Sequence, residues 1–279
     1  MSVHVAAGNH LTYRANEHDT VLSEVADVHC VLMPRALLVA GYNSDGQIVM
    51  ARYNGYAASD PAWVPDFFEH EFINEPLFGV PQQVKALFIG SREELIIPDK
   101  LYQEDAARVW MQSLQAIRPD DVLHSYAVKA IGAQYNFALP ARIDKLLHRY
   151  FGDTTMMPVG AYQLFKPKLA DPYLLQCFMT NDTVIASLHN NGKLIWHQQF
   201  GYTTVEDIAW QAAHLCRELH IPRIDLRLEC TLMCEDCFDL IPELERYFPK
   251  IKWTTSGASE EGHWAPVLYL LKQLYACAL

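Results

Sequence analysis

Three cysteines stand close together as Cys230-x3-Cys234-x2-Cys237. Thiolates at such spacing can hold three irons of a 4Fe–4S cluster, or three of the four ligand positions of a zinc ion. A zinc site needs a fourth donor, and Cys216, His214 or His220 could supply it only if the fold carried one of them to the triad. The competing reading is a strand end, a loop and a helix start that carry thiols with no metal. No cofactor is expected.

A second pattern, His70-Glu71-Phe72-Ile73-Asn74, lacks the second imidazole of the zinc-protease helix. Two ligands one helical turn apart are the physical point of that motif, so metalloprotease chemistry is rejected. Asp66, Glu69, Glu71 and Glu75 read instead as a solvated acidic face, with Phe67, Phe68 and Phe72 packing behind it. Among the 12 histidines no nucleophile constellation is visible. His29 and Cys30 are neighbours at a strand start and must point to opposite faces. His189 and His197 lie on neighbouring hairpin strands where they could face each other, and the favoured reading for both is surface or half-buried packing. Nucleophile-elbow, phosphate-loop and dinucleotide glycine motifs are all missing. Aromatic residues crowd two stretches, Trp63 to Phe72 and Trp196 to Tyr202, as core or as a partner-binding face.

Charge narrows the field further. With 22 basic and 33 acidic side chains the net charge is -11, which argues against nucleic-acid binding because no compensating basic face is evident. Hydrophobic residues at 51% against 20% charged describe a globular chain with ample core. No run approaches the roughly 18 apolar residues that span a bilayer, and Met1 to Asn16 has no apolar stretch after a basic start. A cytoplasmic location without membrane partners is expected. The 7 cysteines, odd in number and scattered, fit that compartment.

Elements that could position these residues follow an α/β order. Val31 to Tyr42, broken by Pro34-Arg35, and Gln47 to Tyr56 read as strands joined through Asn43-Ser44-Asp45-Gly46. A helical stretch is predicted over Asp60–Phe78, strands over Val84–Gly90 and Leu95–Pro98, and a helix over Asp99–Ile117 with Leu101, Ala106, Val109 and Leu114 inward. A strand pair (Val122–Lys129, Gly132–Phe137) and a helix from Pro140 to Phe151 follow. The second half opens with strands Tyr173–Met179, Thr183–Asn190 and Lys193–Phe200. A capping box at Thr203 to Glu206 starts a helix whose inner stripe is Val205, Ile208, Ala212, Leu215 and Leu219. Strand Ile224–Leu228, helix Phe238–Phe248, strand Ile251–Trp253 and helix His263–Ala276 complete the chain. Antiparallel strands followed by helix–strand alternation, twice over, predict two similar lobes meeting near Phe165 to Asp171, so residues 1–165 and 166–279 are expected to form an N-terminal and a C-terminal lobe, each a mixed sheet with flanking helices.

Several of these segments resemble an uncharacterised bacterial family, found mainly in Bacteroidetes, with an actin-like ATPase (RNase H-like) fold. The resemblance is carried by the hairpins and Phe200-Gly201-Tyr202-Thr203 turn within Phe165 to Asp207. It is also carried by Leu95-Ile96-Ile97-Pro98 with Leu101-Tyr102, and by Asn136-Phe137, Pro140 and Arg149-Tyr150-Phe151-Gly152. It implies a fold but no activity. It also implies where a nucleotide would sit: on one hairpin turn per lobe, here Asn43 to Gly46 and Thr180 to Thr183, making Asp45, Gly46, Asn181 and Asp182 the candidate phosphate residues. The second turn has no glycine. The place of the family fold's Gly-Gly step reads Glu229-Cys230-Thr231-Leu232-Met233, again without glycine, and side chains there would obstruct adenosine. The expectation is therefore a non-catalytic actin-like scaffold that binds another protein or itself. A divergent ATP-binding protein and a metal or Fe–S protein through Cys230, Cys234 and Cys237 are the alternatives.

Overall fold

A computed structural model describes residues 10–15, 21–56, 60–79, 84–165, 172–180, 182–233, 240–248, 250–254 and 264–278. The chain divides into two compact units. One comprises Met1–Val128, Gly132–Val159 and Leu274–Leu279; the other comprises Lys129–Ile131 and Gly160–Gln273.

The first unit is built on β1 (His10–Arg14), β2 (Asp27–Met33), β3 (Ala36–Tyr42), β4 (Ile48–Gly55), α1 (Pro65–Asn74) and β5 (Val84–Ile89). Then come β6 (Glu94–Pro98), α2 (Glu104–Leu114), β7 (Val122–Val128), β8 (Ala133–Leu139), α3 (Ala141–Phe151) and β9 (Thr155–Pro158). Its main sheet has the order β1-β4-β3-β2-β5-β9, with β6-β8-β7 as a separate small antiparallel sheet. Within the main sheet β2, β3 and β4 are antiparallel, whereas β5 and β9 continue parallel to β2. β2 and β3 are buried along nearly their whole length, which explains continuous apolar runs in place of alternation. Phe67, Phe68 and Phe72 of α1 pack with Leu37, Val39 and Leu87 of the sheet and Ile143 and Leu147 of α3 in one core cluster.

The second unit repeats this plan with β10 (Tyr173–Met179), β11 (Thr183–Asn190), β12 (Lys193–Gly201), α4 (Val205–Glu218), β13 (Leu226–Leu232), α5 (Ile241–Tyr247) and β14 (Ile251–Trp253). Helix α6 (Ala265–Ala278) ends the described chain. The order β12-β11-β10-β13-β14 reproduces β4-β3-β2-β5-β9 strand for strand, with the same antiparallel and parallel senses. The duplication lies in topology and chain direction.

Local chemistry moves several boundaries. The single helix expected over Asp60–Phe78 is α1 flanked by two 3-10 turns, Pro61–Trp63 and Pro76–Gly79. Three prolines and positive φ at Asp60, Ala62, Trp63 and Val64 interrupt it. Glu71 and Glu75 are buried, not solvated: Glu71 accepts from Asn54 Nδ2 at 2.6 Å, and Glu75 lies 3.2 Å from Arg52 Nε. Helix α2 buries Ala107 and Met111, while Leu101, Val109 and Leu114, expected inside, are exposed. The cap of α4 falls one residue later than expected: Asp207 accepts the N–H of Thr203 and Thr204 at 2.8 and 2.9 Å. Leu219, just past this helix, is exposed. Ile224 sits in a 3-10 turn, Arg223–Asp225, so the strand begins at Leu226.

Candidate functional site

The β3–β4 turn is where a phosphate would meet the first unit. Gly46 takes φ +73°, a conformation that disfavours any side chain. Asn43 organises the turn. Its Oδ1 accepts the N–H of Asp45 at 3.1 Å and of Gln47 at 2.8 Å, and its carbonyl accepts the N–H of Gly46 at 2.9 Å. Three successive N–H donors are thus spent inside the turn. The open side of Gly46 meets the ring of Tyr275, from the end of α6 that belongs to this unit; a Cβ would lie 2.6 Å from Cε1. Tyr275 in turn stacks on Tyr42 and His29, with ring centroids 4.5 and 5.2 Å apart. Burial holds His29 near pKa 4, only partly opposed by Asp27, so its imidazole is neutral.

In the second unit the hydrogen bonds at the β10–β11 turn fall mainly on its carbonyls. Thr180 N–H donates to the Thr183 carbonyl at 2.9 Å and Thr183 Oγ1 donates to Asp182 Oδ1 at 3.0 Å. Tyr202 donates its N–H to the Asp182 carbonyl at 3.0 Å and its hydroxyl to the Thr180 carbonyl. Asn181 lies outside the described residues. Tyr202 thus ties down two carbonyls of its turn, whereas Tyr275 meets Gly46 by ring contact.

Cys230 is a strand residue, and Cys234 and Cys237 lie outside the described residues. Its register partner on β10 is Cys177, and both thiols are buried in the same apolar cluster. Burial, reinforced by the neighbouring Cys177, pushes the Cys230 thiol well above its usual range and away from the thiolate that a metal needs. The described residues include no cluster of three or more His, Cys, Asp or Glu side chains able to hold a metal. Glu229 to Leu232 lie inside β13, whereas the sequence reading set them beyond the strand in the place of a nucleotide-facing step.

His189 and His197 share a face of the second sheet but are not opposite each other; Ser187 is the register partner of His197. The Ser187 hydroxyl and His197 Nδ1 are 2.7 Å apart, and Ser187 also donates to Gln163 Oε1 at 3.1 Å. Ser187 is fully buried, so this pair serves the core. The aromatics from Trp63 to Phe72 are core as well.

Sequence reasoning missed a groove of about 590 Å³ between α4, α5 and the Arg223–Asp225 turn. Ala209, Ala213, Cys216, Leu226 and Phe248 are among its lining residues. Trp210 (63% exposed), Ile224 (65%) and Tyr247 stand at its rim. Trp210 stacks flat on His214, with ring planes 2° apart. Glu206 is held as a carboxylate by its own backbone N–H and by the Tyr247 hydroxyl at 2.9 Å. Arg223 lines the same groove, so one carboxylate and one guanidinium stand along it. Trp210, off the inner stripe of α4, was the one local signal.

Duplicated five-strand sheets of this order, each with helices after its third and fourth strands, define an actin-like ATPase (RNase H-like) fold. A Bacteroides thetaiotaomicron VPI-5482 protein with actin-like ATPase fold and unknown function superposes with a TM-score of 0.77 at 14% identity, covering 94% of this chain and 100% of that one. The PilM-PilN type IV pilus biogenesis complex matches with a TM-score of 0.55 at 11% identity, over 91% of this chain and 99% of that one. The chain belongs to the family described as protein of unknown function (DUF3822), whose family model matches residues 37–251. No curated protein matches the chain. Among the described residues, no helix is long and apolar enough to cross a membrane.

Proposed function

We propose that this protein is a non-catalytic, cytoplasmic member of the actin-like class, with lobes dividing at residues 165 and 166, that works by binding protein. The observation that carries this reading is the β3–β4 turn. Its N–H donors at Asp45, Gly46 and Gln47 are already bonded to Asn43, and Tyr275 fills the approach to Gly46. A phosphate would have to break those bonds and displace an aromatic stack. Interaction in place of catalysis is in keeping with the exposed apolar groove beside α4, and with the PilM-PilN assembly built on the same fold.

A thermal-shift series with Mg-ATP and Mg-ADP at millimolar concentration, beside elemental analysis of the same batch, tests the reading. A ligand that binds only the folded state must raise its stability. The expected result is an unchanged melting temperature and no stoichiometric zinc or iron. A rise of several degrees would replace this reading with nucleotide binding through Asp45, Gly46, Asn181 and Asp182, and bound metal would replace it with a site at Cys230, Cys234 and Cys237.

A further inference from the structure

The two duplicated sheets end differently at one edge. In the first unit β4 is not the last strand: β1 runs antiparallel along it, in register from His10↔Asn54 to Arg14↔Met50. The counterpart of β4 in the second unit is β12, which pairs with β11 and ends the sheet. Among the described residues no strand lies on its outer side. The first unit thus shows which element such an edge accepts: one more antiparallel strand.

An open edge presents a row of unpaired backbone N–H and C=O groups, and proteins blunt it with shortness, charge or proline. The other outer strands of the two main sheets follow that rule. β14 has three residues, β9 has four and ends on Pro158, and β1 carries Arg14. β12 has nine residues, and Lys193 at its start is its only lysine, arginine, aspartate or glutamate. Its register against β11 shifts opposite Leu188 and His189 and is regular from Trp196 to Gly201. In that stretch Trp196 and Phe200 are half-buried at the margin of the second unit's core, and Gln198 is exposed. Gln199 Oε1 is buried with no hydrogen-bond partner among the described residues, an acceptor on the edge strand itself.

The residue pattern selects the strand that fits. A two-fold axis normal to the sheet through Gln198 lays β12 antiparallel to itself and keeps every residue on its own face. It sets Trp196 opposite Phe200 of the second copy, twice over. Aromatic cross-strand pairs of this kind stabilise antiparallel sheets. No lysine, arginine, aspartate or glutamate falls within Trp196–Gly201, so two copies of a chain of net charge -11 meet there without facing carboxylates. We propose that β12 pairs with β12 of a second copy of this chain, joining the two five-stranded sheets edge to edge. This rests on the reading above that the protein works by binding protein, and names the partner.

Sedimentation velocity on the full chain, over a concentration series into the hundreds of micromolar range, tests the pairing. Wild type is expected to form a dimer and grow no further, because a two-fold contact uses both edges. Gln198 is exposed in the single chain but faces its own copy across the axis. Gln198→Lys and Gln198→Glu therefore each set like charges opposite one another, and each is expected to weaken dimerisation about fivefold. An equimolar mixture of the two variants sets lysine opposite glutamate and is expected to dimerise at least as tightly as wild type. That recovery shows both variants are folded.

A wild type that stays monomeric would overturn the pairing and hand the edge to a strand of another protein. Growth beyond a dimer, variants that associate as wild type does, or a mixture no tighter than its components would overturn it as well. These outcomes are separate from the nucleotide test. A monomeric chain that ignores Mg-ATP leaves the non-catalytic reading standing with another protein as partner, whereas a nucleotide-dependent rise in melting temperature removes that reading without altering the mixing result.

Discussion

Tyr275 stands against Gly46 so closely that a single added methyl group would lie 2.6 Å from its ring. The two residues are 229 positions apart, and the glycine's positive φ and its bare face are used together, one to turn the chain and one to admit the ring. Gly46→Ala is expected to cost about 1–3 kcal/mol, from the left-handed backbone and from displacement of the ring. Tyr275→Ala forfeits the stack on Tyr42 and His29 and is expected to cost a comparable amount. Because the two side chains meet, the double variant should be less destabilised than the sum of the singles. Urea denaturation of the four proteins measures the coupling; strict additivity would show that ring and turn do not interact.

Glu94 sets a pH dependence of its own. It is buried beneath the Tyr135 hydroxyl, which donates to Oε2 at 2.5 Å, and burial raises its pKa to about 8 despite that bond. The folded state therefore keeps a proton that the unfolded chain releases near pH 4.5. Stability from this group is present below that pH and is lost as pH rises toward 8. Glu94→Gln, which stays neutral, should gain on wild type by several kcal/mol in order of magnitude between pH 5 and pH 8. Parallel denaturation curves at the two pH values check this. A pH-independent difference between the proteins would show that Glu94 is ionised throughout.

How much of this was legible beforehand depends on how local the determining physics is. Strands β10, β11 and β12 were readable within a residue or so, because alternation and the Asn190-Asn191-Gly192 turn act over a few positions; Asn191 and Gly192 do adopt positive φ. The doubled α/β plan was readable for the same reason. The buried side of α2 was not. Its large apolar residues suggest one inner face, and the structure puts Ala107 and Met111 there instead. Tyr275 over Gly46 and the groove beside Trp210 are non-local, assembled from residues that no window of sequence places together. Glu71 and Glu75 misled in the same way, since their partners Asn54 and Arg52 come from a different element.

His29 gives the opposite pH sign to Glu94. Its ring packs between Tyr42, Phe88 and Tyr275, its Nδ1 has no hydrogen-bond partner among the described residues, and burial lowers its pKa from 6.5 to about 4. Below pH 6.5 the unfolded chain gains a proton that the folded state refuses. The stability it contributes is full above pH 6.5 and is lost as pH falls toward 4, by up to about 3 kcal/mol. His29→Phe keeps an aromatic ring without the titration and should flatten the acid side of the stability profile. The check is a melting-temperature series from pH 7 to pH 4; identical slopes for both proteins would show that another group governs acid sensitivity.

Cys230 separates a core thiol from a metal ligand. Its side chain lies in the cluster with Cys177, Leu175, Leu228 and Leu232 and is raised well above the ordinary thiol range by burial. In that setting Cys230→Ser puts an under-satisfied hydroxyl among apolar atoms and should cost about 1–3 kcal/mol. Cys230→Val is also apolar and near the cysteine in size, so it should cost less than the serine. A metal ligand would give a different ranking: serine and valine would abolish binding alike, and both would destabilise only when metal is present. Denaturation of the two variants with and without a chelator distinguishes the cases. A chelator effect on wild type that both variants lack would assign Cys230 to a metal site.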